Sequence, residues 1–328
     1  MDSLARTSLA RPPLRLLLLV AALAVAAIPV AAVVAQGGPA AAFTVIETGR
    51  VYPTLQRAVD AIGSARGTIS IAPGTYRQCA VQEAGEITYV ASEPGKTVFE
   101  RATCEGKAAF VLRGRAARVA GLTFRGMTVP DGNGAGIRLE EGDLIVAQSW
   151  FLDSQQGILT ASDPAGSIVI DKSTFSGLGT CENSAGCAHS IYVGDYGRLR
   201  ITRSRFERGT GGHYVKSRSR LVEIAGSSFD DSAGRATNYM IDLPEGATGQ
   251  ITNNWFVQGS DKENYSAFIA VAAEDHTHTA DGLRIAGNDA RFAPDVRRSS
   301  AFVADWSGDR LAVGSNALGI GIEPFEKR

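Results

Sequence analysis

Ile170-Asp-Lys-Ser-Thr-Phe175, Ile201-Thr-Arg-Ser-Arg-Phe206 and Ile224-Ala-Gly-Ser-Ser-Phe229 are three renderings of one six-residue phrase: an apolar residue, two variable ones, a small polar residue, one more variable one, then Phe. Upstream the phrase reads Val119-Ala-Gly-Leu-Thr-Phe124 and Val146-Ala-Gln-Ser-Trp-Phe151. Downstream it reads Ile251-Thr-Asn-Asn-Trp-Phe256 and fades through Ile285-Ala-Gly-Asn-Asp-Ala290 and Val313-Gly-Ser-Asn-Ala-Leu318. The eight copies start 23 to 34 residues apart. A second phrase precedes the central copies: Ile137-Arg-Leu139, Leu159-Thr-Ala161, Ile191-Tyr-Val193, Val215-Lys-Ser217, Ile241-Asp-Leu243 and Ile269-Ala-Val271. Its alternation of apolar and variable positions is that of a strand with one buried face.

Each period therefore holds at least two short strands, and no helix of ordinary length fits between them. Such a unit cannot bury its apolar face alone; stacked on its neighbours, it builds a continuous core. The spacing predicts an all-β fold, a single-stranded parallel β-helix. Phe124, Phe151, Phe175, Phe206, Phe229 and Phe256 should form one internal column. Ser149, Ser173, Ser204, Ser227, Asn254, Asn288 and Asn316 should form a ladder of turn residues whose short side chains bond local backbone. A propeller is excluded, because its blades need about 40–45 residues each. An open coil needs a cap at its end. Thr54 to Ile62 supplies one within residues 52–63: Leu55, Ala58, Val59 and Ile62 fall at helical spacing, Thr54 is an N-cap and Gly63 a stop.

With the phrase Ile71-Ala-Pro-Gly-Thr-Tyr76, that helix and the repeats to about residue 318, the chain resembles the pectin-lyase-like superfamily of right-handed parallel β-helices. The resemblance covers nearly the whole of residues 36–328. It implies the fold and the right hand. It leaves function open among lyases, glycosidases, epimerases, esterases and inert adhesins.

Residues 1–35 read as an export segment. Arg6, Arg11 and Arg15 precede an apolar run from Leu16 that ends in small residues, with cleavage expected after Ala35; an uncleaved anchor is the alternative, and membrane contact follows only from it. Either way the body is exported, to the periplasm or the extracellular space. Four cysteines fit that compartment, and of three connectivities the pairs Cys79–Cys104 and Cys181–Cys187 are expected. A net charge of −1 offers no global field for nucleic acid, so none is expected as a partner.

Stacking turns sequence into geometry, since equivalent residues of successive coils lie about 4.8 Å apart. The outward position of the second phrase reads Arg138, Thr160, Tyr192, Lys216, Asp242, Ala270. Two residues on come Glu140, Ser162, Gly194, Arg218, Pro244 and Ala272; two residues back come Gly136, Ile158, Ser190, Tyr214, Met240 and Phe268. The expected site is Lys216, Arg218, Tyr192 and Asp242, supported by His213 and His189, which stack one repeat apart with Tyr239 next in register. Tyr214, Tyr239 and Arg138 are candidate substrate contacts. Arg218 would neutralise a uronate carboxylate, Lys216 would act as base, its proton loosened by the neighbouring guanidinium, and Tyr192 would donate a proton. That chemistry suits β-elimination or C5-epimerisation of an acidic polysaccharide, and the Lys–Arg pair is similar to that of parallel β-helix alginate lyases. Those enzymes also hold a calcium ion in an acidic cluster; Ca2+ is left open, and no such cluster is evident. The plainer readings are a solvated ion-pair ladder and a pair of structural corner histidines. The rival functions are a non-catalytic carbohydrate-binding or envelope scaffold protein and a glycoside hydrolase, for which Asp242 stands alone in its column.

Overall fold

Every copy of the six-residue phrase straddles a corner of the chain. In the copy at 170–175, Ile170 lies near the end of the Asp163–Asp171 strand, Lys172 makes the bend and Phe175 sits in the Thr174–Ser176 strand. The computed structural model describes residues 42–183 and 186–328; the export segment at 1–35 lies outside the described residues. Three sheets of twelve, ten and ten strands wind about one core, and each coil contributes one strand to each sheet. One coil, for example, runs through Tyr196–Thr202, Arg205–Glu207 and Val215–Ser217 in the first, second and third sheets. Pairing between coils is parallel throughout.

The expected columns are present. Phe124, Phe151, Phe175, Phe206, Phe229 and Phe256 pair in strict register, with ring centroids 4.8–5.1 Å apart and nearly parallel planes. Offset aromatic stacks of this kind add to the transfer free energy of burying each ring. The Ser/Asn ladder is continuous. The N–H of Ser149 donates to the Ser173 hydroxyl, Ser173 to Ser204, Ser204 to Ser227, Ser227 to Asn254, Asn254 to Asn288 and Asn288 to Asn316, at 2.9–3.3 Å. The residue before each ladder position from Ser149 to Asn288 is left-handed: Gln148, Lys172, Arg203 and Asn253 have φ of 46–57°, and Gly226 and Gly287 take the same place. A non-glycine residue there costs about 1–2 kcal/mol, which the ladder bond offsets. Asn254→Ala strips the acceptor of the Ser227 N–H and the donor to the Ile224 carbonyl. It is expected to cost about 2–3 kcal/mol, seen as a lower urea midpoint at unchanged slope.

The ends are closed as their sequence requires. The helix is Leu55–Ile62, Thr54 accepts from the Arg57 N–H, and Leu55, Ala58, Val59 and Ile62 are buried. Not foreseen was a hairpin, Phe43–Val45 with Arg50–Tyr52, that pairs antiparallel with Arg66–Ile71 and extends the first sheet. The last strand, Ile322–Lys327, blunts its open edge with Glu323, Pro324, Glu326 and Lys327. Both expected disulfides, Cys79–Cys104 and Cys181–Cys187, are formed, as suits an oxidising compartment. Among the described residues no helix is long and apolar enough to cross a membrane.

Candidate functional site

The third sheet sets the site, and its register departs from the sequence reading in one coil. Tyr192 pairs with Lys216 and Lys216 with Asp242, as expected. The preceding outward residue, however, is Leu159 rather than Thr160: Arg138 pairs with Leu159 and Leu159 with Tyr192. Ile158 fills the core beside Ile137 and Ile191, so a one-residue slip reverses the faces of the whole strand. Thr160 points inward, where its hydroxyl donates to the Ala161 carbonyl and accepts from the Gly194 N–H.

Tyr214 is a second correction. It lies in the bend before the Val215–Ser217 strand, so alternation does not extend to it. Its ring is buried in the core, its hydroxyl donates to Asp231 at 2.8 Å and accepts from the Gly209 N–H, and it is no substrate contact. Arg138 is separated from Tyr192 by the Leu159 coil and lies 3.7 Å from Glu140. Tyr239 stacks on His213 at 5.6 Å between centroids and is otherwise packed among alanines. Neither lines the groove described below.

Lys216, Arg218, Tyr192, Asp242, His213 and His189 do converge. Arg218 Nε donates to the Tyr192 hydroxyl at 2.9 Å; its Nη1 pairs with Glu245 and its Nη2 with Glu274. Lys216 Nζ pairs with the other oxygen of Glu274 and lies 3.3 Å from Asp242 Oδ2. Asp242 Oδ2 is in turn 3.4 Å from His213 Nε2, while Asp242 Oδ1 is enclosed without a donor among the described residues. His189 Nδ1 accepts from the His213 N–H at 3.0 Å, so a neutral His189 carries its proton on Nε2.

Burial decides the charge states. It pushes Asp242 up to about 6, with Lys216 pulling the other way. It drives His213 down to about 3 and His189 well below the usual imidazole range, so both rings are neutral near pH 7. Burial also works against charge on Glu274 and Arg218, but their mutual bond, with those to Lys216 and Tyr192, holds the carboxyl below and the guanidinium above its ordinary value. The expectation that a neighbouring guanidinium would loosen a proton from Lys216 omitted Glu274 and Asp242, which sit against the ammonium.

Glu274 and Glu245 were missed. They trail the third-sheet strands Ala267–Val271 and Ile241–Leu243 by two or three residues, and that recurrence was the available signal. Ala272, at φ 54°, turns the chain so that the Glu274 and Asp275 N–H groups both donate to the Pro244 carbonyl, returning Glu274 over the preceding coil.

Above these groups lies a groove of about 380 Å³. Glu274, Arg218 and Lys216 line one end, Tyr192 and His189 the middle, and Leu159, Gln156 and Asn133 the other; Gly186 and Cys187 of the disulfide loop form a lip. A larger hollow near residues 291–298 holds arginines but no proton-transfer group. Asp242 and His213 lie beneath Lys216, outside the lining. The hydrolase reading needs two opposed carboxylates at the scissile bond, and Asp242 cannot reach one. Among the described residues no group of three or more acidic, His or Cys side chains is placed to hold a metal. Among the described residues Glu274 alone brings a carboxylate to the groove lining, and it is matched by both Lys216 and Arg218, so the groove does not fit a calcium ion.

No protein-family model matches the sequence, and no curated protein matches it. Among solved structures, ORF18 of Geobacillus virus E2 is similar over 85% of this chain and 59% of its own, with a TM-score of 0.52 and 16% identity. The chain thus spans less than two thirds of that protein. A rice weevil pectin methyl esterase aligns over 64% of this chain and 76% of its own, with a TM-score of 0.42 and 11% identity. Likeness at these identities concerns fold alone. The three parallel sheets, the stacked columns and the helical cap together make this chain a right-handed parallel β-helix.

Proposed function

We propose that the protein is exported and acts on an acidic polysaccharide, as a lyase or C5-epimerase. The observation that supports this reading is the grip of Lys216 and Arg218 on a single carboxylate, that of Glu274, in a groove beside the Tyr192 hydroxyl. A uronate carboxylate presents the same two oxygens. Glu274 is nearly half exposed, and those two ion pairs are the side-chain ties it would have to give up, so its side chain can rotate away and yield the clamp to the sugar.

With the carboxylate so held, the negative charge that develops on removal of the C5 proton faces Arg218, Lys216 and the His189 Nε2–H, donors already in place. Tyr192 is the one hydroxyl among the groove's described lining residues. Its oxygen accepts from Arg218, a cation beside the phenolate that would take up the C5 proton. We therefore move the proton-transfer role from Lys216 to Tyr192 and give Lys216 the carboxylate. In elimination the Tyr192 phenolate takes the C5 proton, the C5–H electron pair forms the C4–C5 double bond, the C4–O bond breaks, and the leaving oxygen takes that proton from the Tyr192 hydroxyl. In epimerisation Tyr192 takes the C5 proton, water protonates the opposite face of C5, and the hydroxide so formed takes the proton from Tyr192.

The test is incubation with alginate, polygalacturonate and glucuronan. A lyase raises enoate absorbance. An epimerase instead exchanges C5 hydrogen for deuterium in heavy water with no new absorbance. New reducing ends without unsaturation would mean hydrolysis, and binding with neither change would mean a carbohydrate-binding or scaffold protein; either result overturns the proposal. Glu274→Gln removes the competing charge. It is expected to lower KM by about tenfold at unchanged kcat. A collapse of kcat would make Glu274 part of the chemistry instead.

A further inference from the structure

The far end of the groove is uncharged and holds an acceptor without a donor. Gln156 is only 2% exposed; its Nε2 donates to Asn133 Oδ1 at 2.8 Å, and its Oε1 has no donor among the described residues. An enclosed acceptor left unmatched is unfavourable and rare in folded proteins. The surrounding structure keeps it so. Asn133 is fixed by an N–H bond to Asp131 Oδ1 and an Nδ2 bond to the Asp131 carbonyl. The same turn is tied down by Gln155, whose Oε1 accepts from the Val129 and Gly134 N–H groups. At Gly134 a Cβ would lie 2.7–2.8 Å from Thr128 and Gln155, so the turn sits close against its neighbours. Beside Gln156, the outward residue of the same coil is the half-buried, apolar Leu159.

We infer that Gln156, with Asn133 and Leu159, forms a second sugar subsite, which binds the ring next to the reacting uronate through a hydroxyl donated to Gln156 Oε1. The inference rests on the polysaccharide reading of the groove and adds to it. Gln156 lies one coil from Tyr192 and two from Lys216, and two coils span about 10 Å. One monosaccharide cannot touch Arg218 and Gln156 together, so the groove takes at least a disaccharide. An amide oxygen would repel a carboxylate and welcome a hydroxyl, while Leu159 offers a surface to the C–H face of a ring. Charge recognition is thereby confined to the Arg218 end.

The experiment compares calorimetric binding of oligouronates of two and four units, prepared from alginate and from polygalacturonate, to the full chain. The unaltered protein is expected to bind the tetramer more tightly than the dimer. Gln156→Leu should erase about tenfold of that advantage and leave dimer binding within twofold, whereas Arg218→Gln should weaken both. A length advantage undiminished in Gln156→Leu overturns the subsite and leaves the uronate reading standing. Failure of the unaltered protein to bind either oligomer overturns both. Gln156→Met, read the same way, replaces Gln156→Leu if the latter does not fold.

Discussion

Arg218→Gln is expected to lower kcat/KM on the protein's uronan by about 10³-fold while the fold persists. Arg218 joins every part of the proposed chemistry: its Nε orients the Tyr192 hydroxyl, its Nη2 grips the carboxylate place now held by Glu274, and its Nη1 is steadied by Glu245. Glutamine keeps some of the bulk but neither the charge nor the planar fork. Arg218→Lys should recover only part of the loss, because a single ammonium cannot bond Tyr192, Glu245 and the substrate in one geometry. Structural damage is not the expected cause, since Arg218 is a fifth exposed on the groove wall rather than in the core. Circular dichroism and the urea midpoint check this alongside the rates. A loss under tenfold would remove Arg218 from the mechanism.

Lys216→Met is expected to destabilise the fold by about 3–5 kcal/mol at pH 8, and to do so in a pH-dependent way. Lys216 neutralises Asp242, which is almost wholly buried and among the described residues has no other cation as near, His213 beside it being neutral. Without Lys216 a buried carboxylate is left uncompensated. The sign follows from the Asp242 proton. Its folded value is raised to about 6 against an ordinary 3.8, so the folded state holds that proton where the unfolded chain has released it. This group therefore adds stability as pH falls through 6 toward 3.8, and withholds it above. Removing Lys216 removes a downward pull on Asp242, so the deficit of Lys216→Met should begin to shrink above pH 6 and be smallest near pH 4. His213 acts in the opposite sense. Its folded value is about 3 against 6.5, so its contribution is lost as pH falls from 6.5 toward 3. Lys216 also holds His213 down, so its removal relaxes that loss as well and shrinks the deficit in the same direction; the Asp242→Asn background separates the two. Adding Asp242→Asn to Lys216→Met should restore most of the stability at pH 8. A deficit independent of pH would point to lost packing rather than an orphaned charge.

The coil was legible because its determinants recur. Each Phe of the column and each Ser or Asn of the ladder sits one coil from an equivalent, and the parallel register needs no more than that recurrence. The left-handed positions at Gln148, Lys172 and Arg203 were not legible, since their side chains carry no mark of positive φ. The Tyr192–Lys216–Asp242 row followed from stacking alone. Thr160 and Tyr214 misled for different reasons. Leu159 and Ile158 are both apolar, so composition did not say which fills the core, and Tyr214 belongs to a bend where the alternation of a strand has ended. Glu274 was hidden by distance: it lies 58 residues beyond Lys216 in a connecting segment and reaches the site only because Ala272 turns and Pro244 accepts two N–H bonds. Missing it also inverted the electrostatics, since Lys216 and Arg218 read as unmatched cations when each in fact holds a carboxylate.

The most direct measurement is a diffraction structure of the protein with a bound uronate trisaccharide. The sugar should lie along the groove with one carboxylate between Lys216 and Arg218, Glu274 rotated out, and the Tyr192 oxygen within hydrogen-bond reach of the C5 side of that ring. A trisaccharide bound elsewhere, or a groove in which Glu274 keeps its pairing with both cations while the sugar sits in place, would contradict the proposed site.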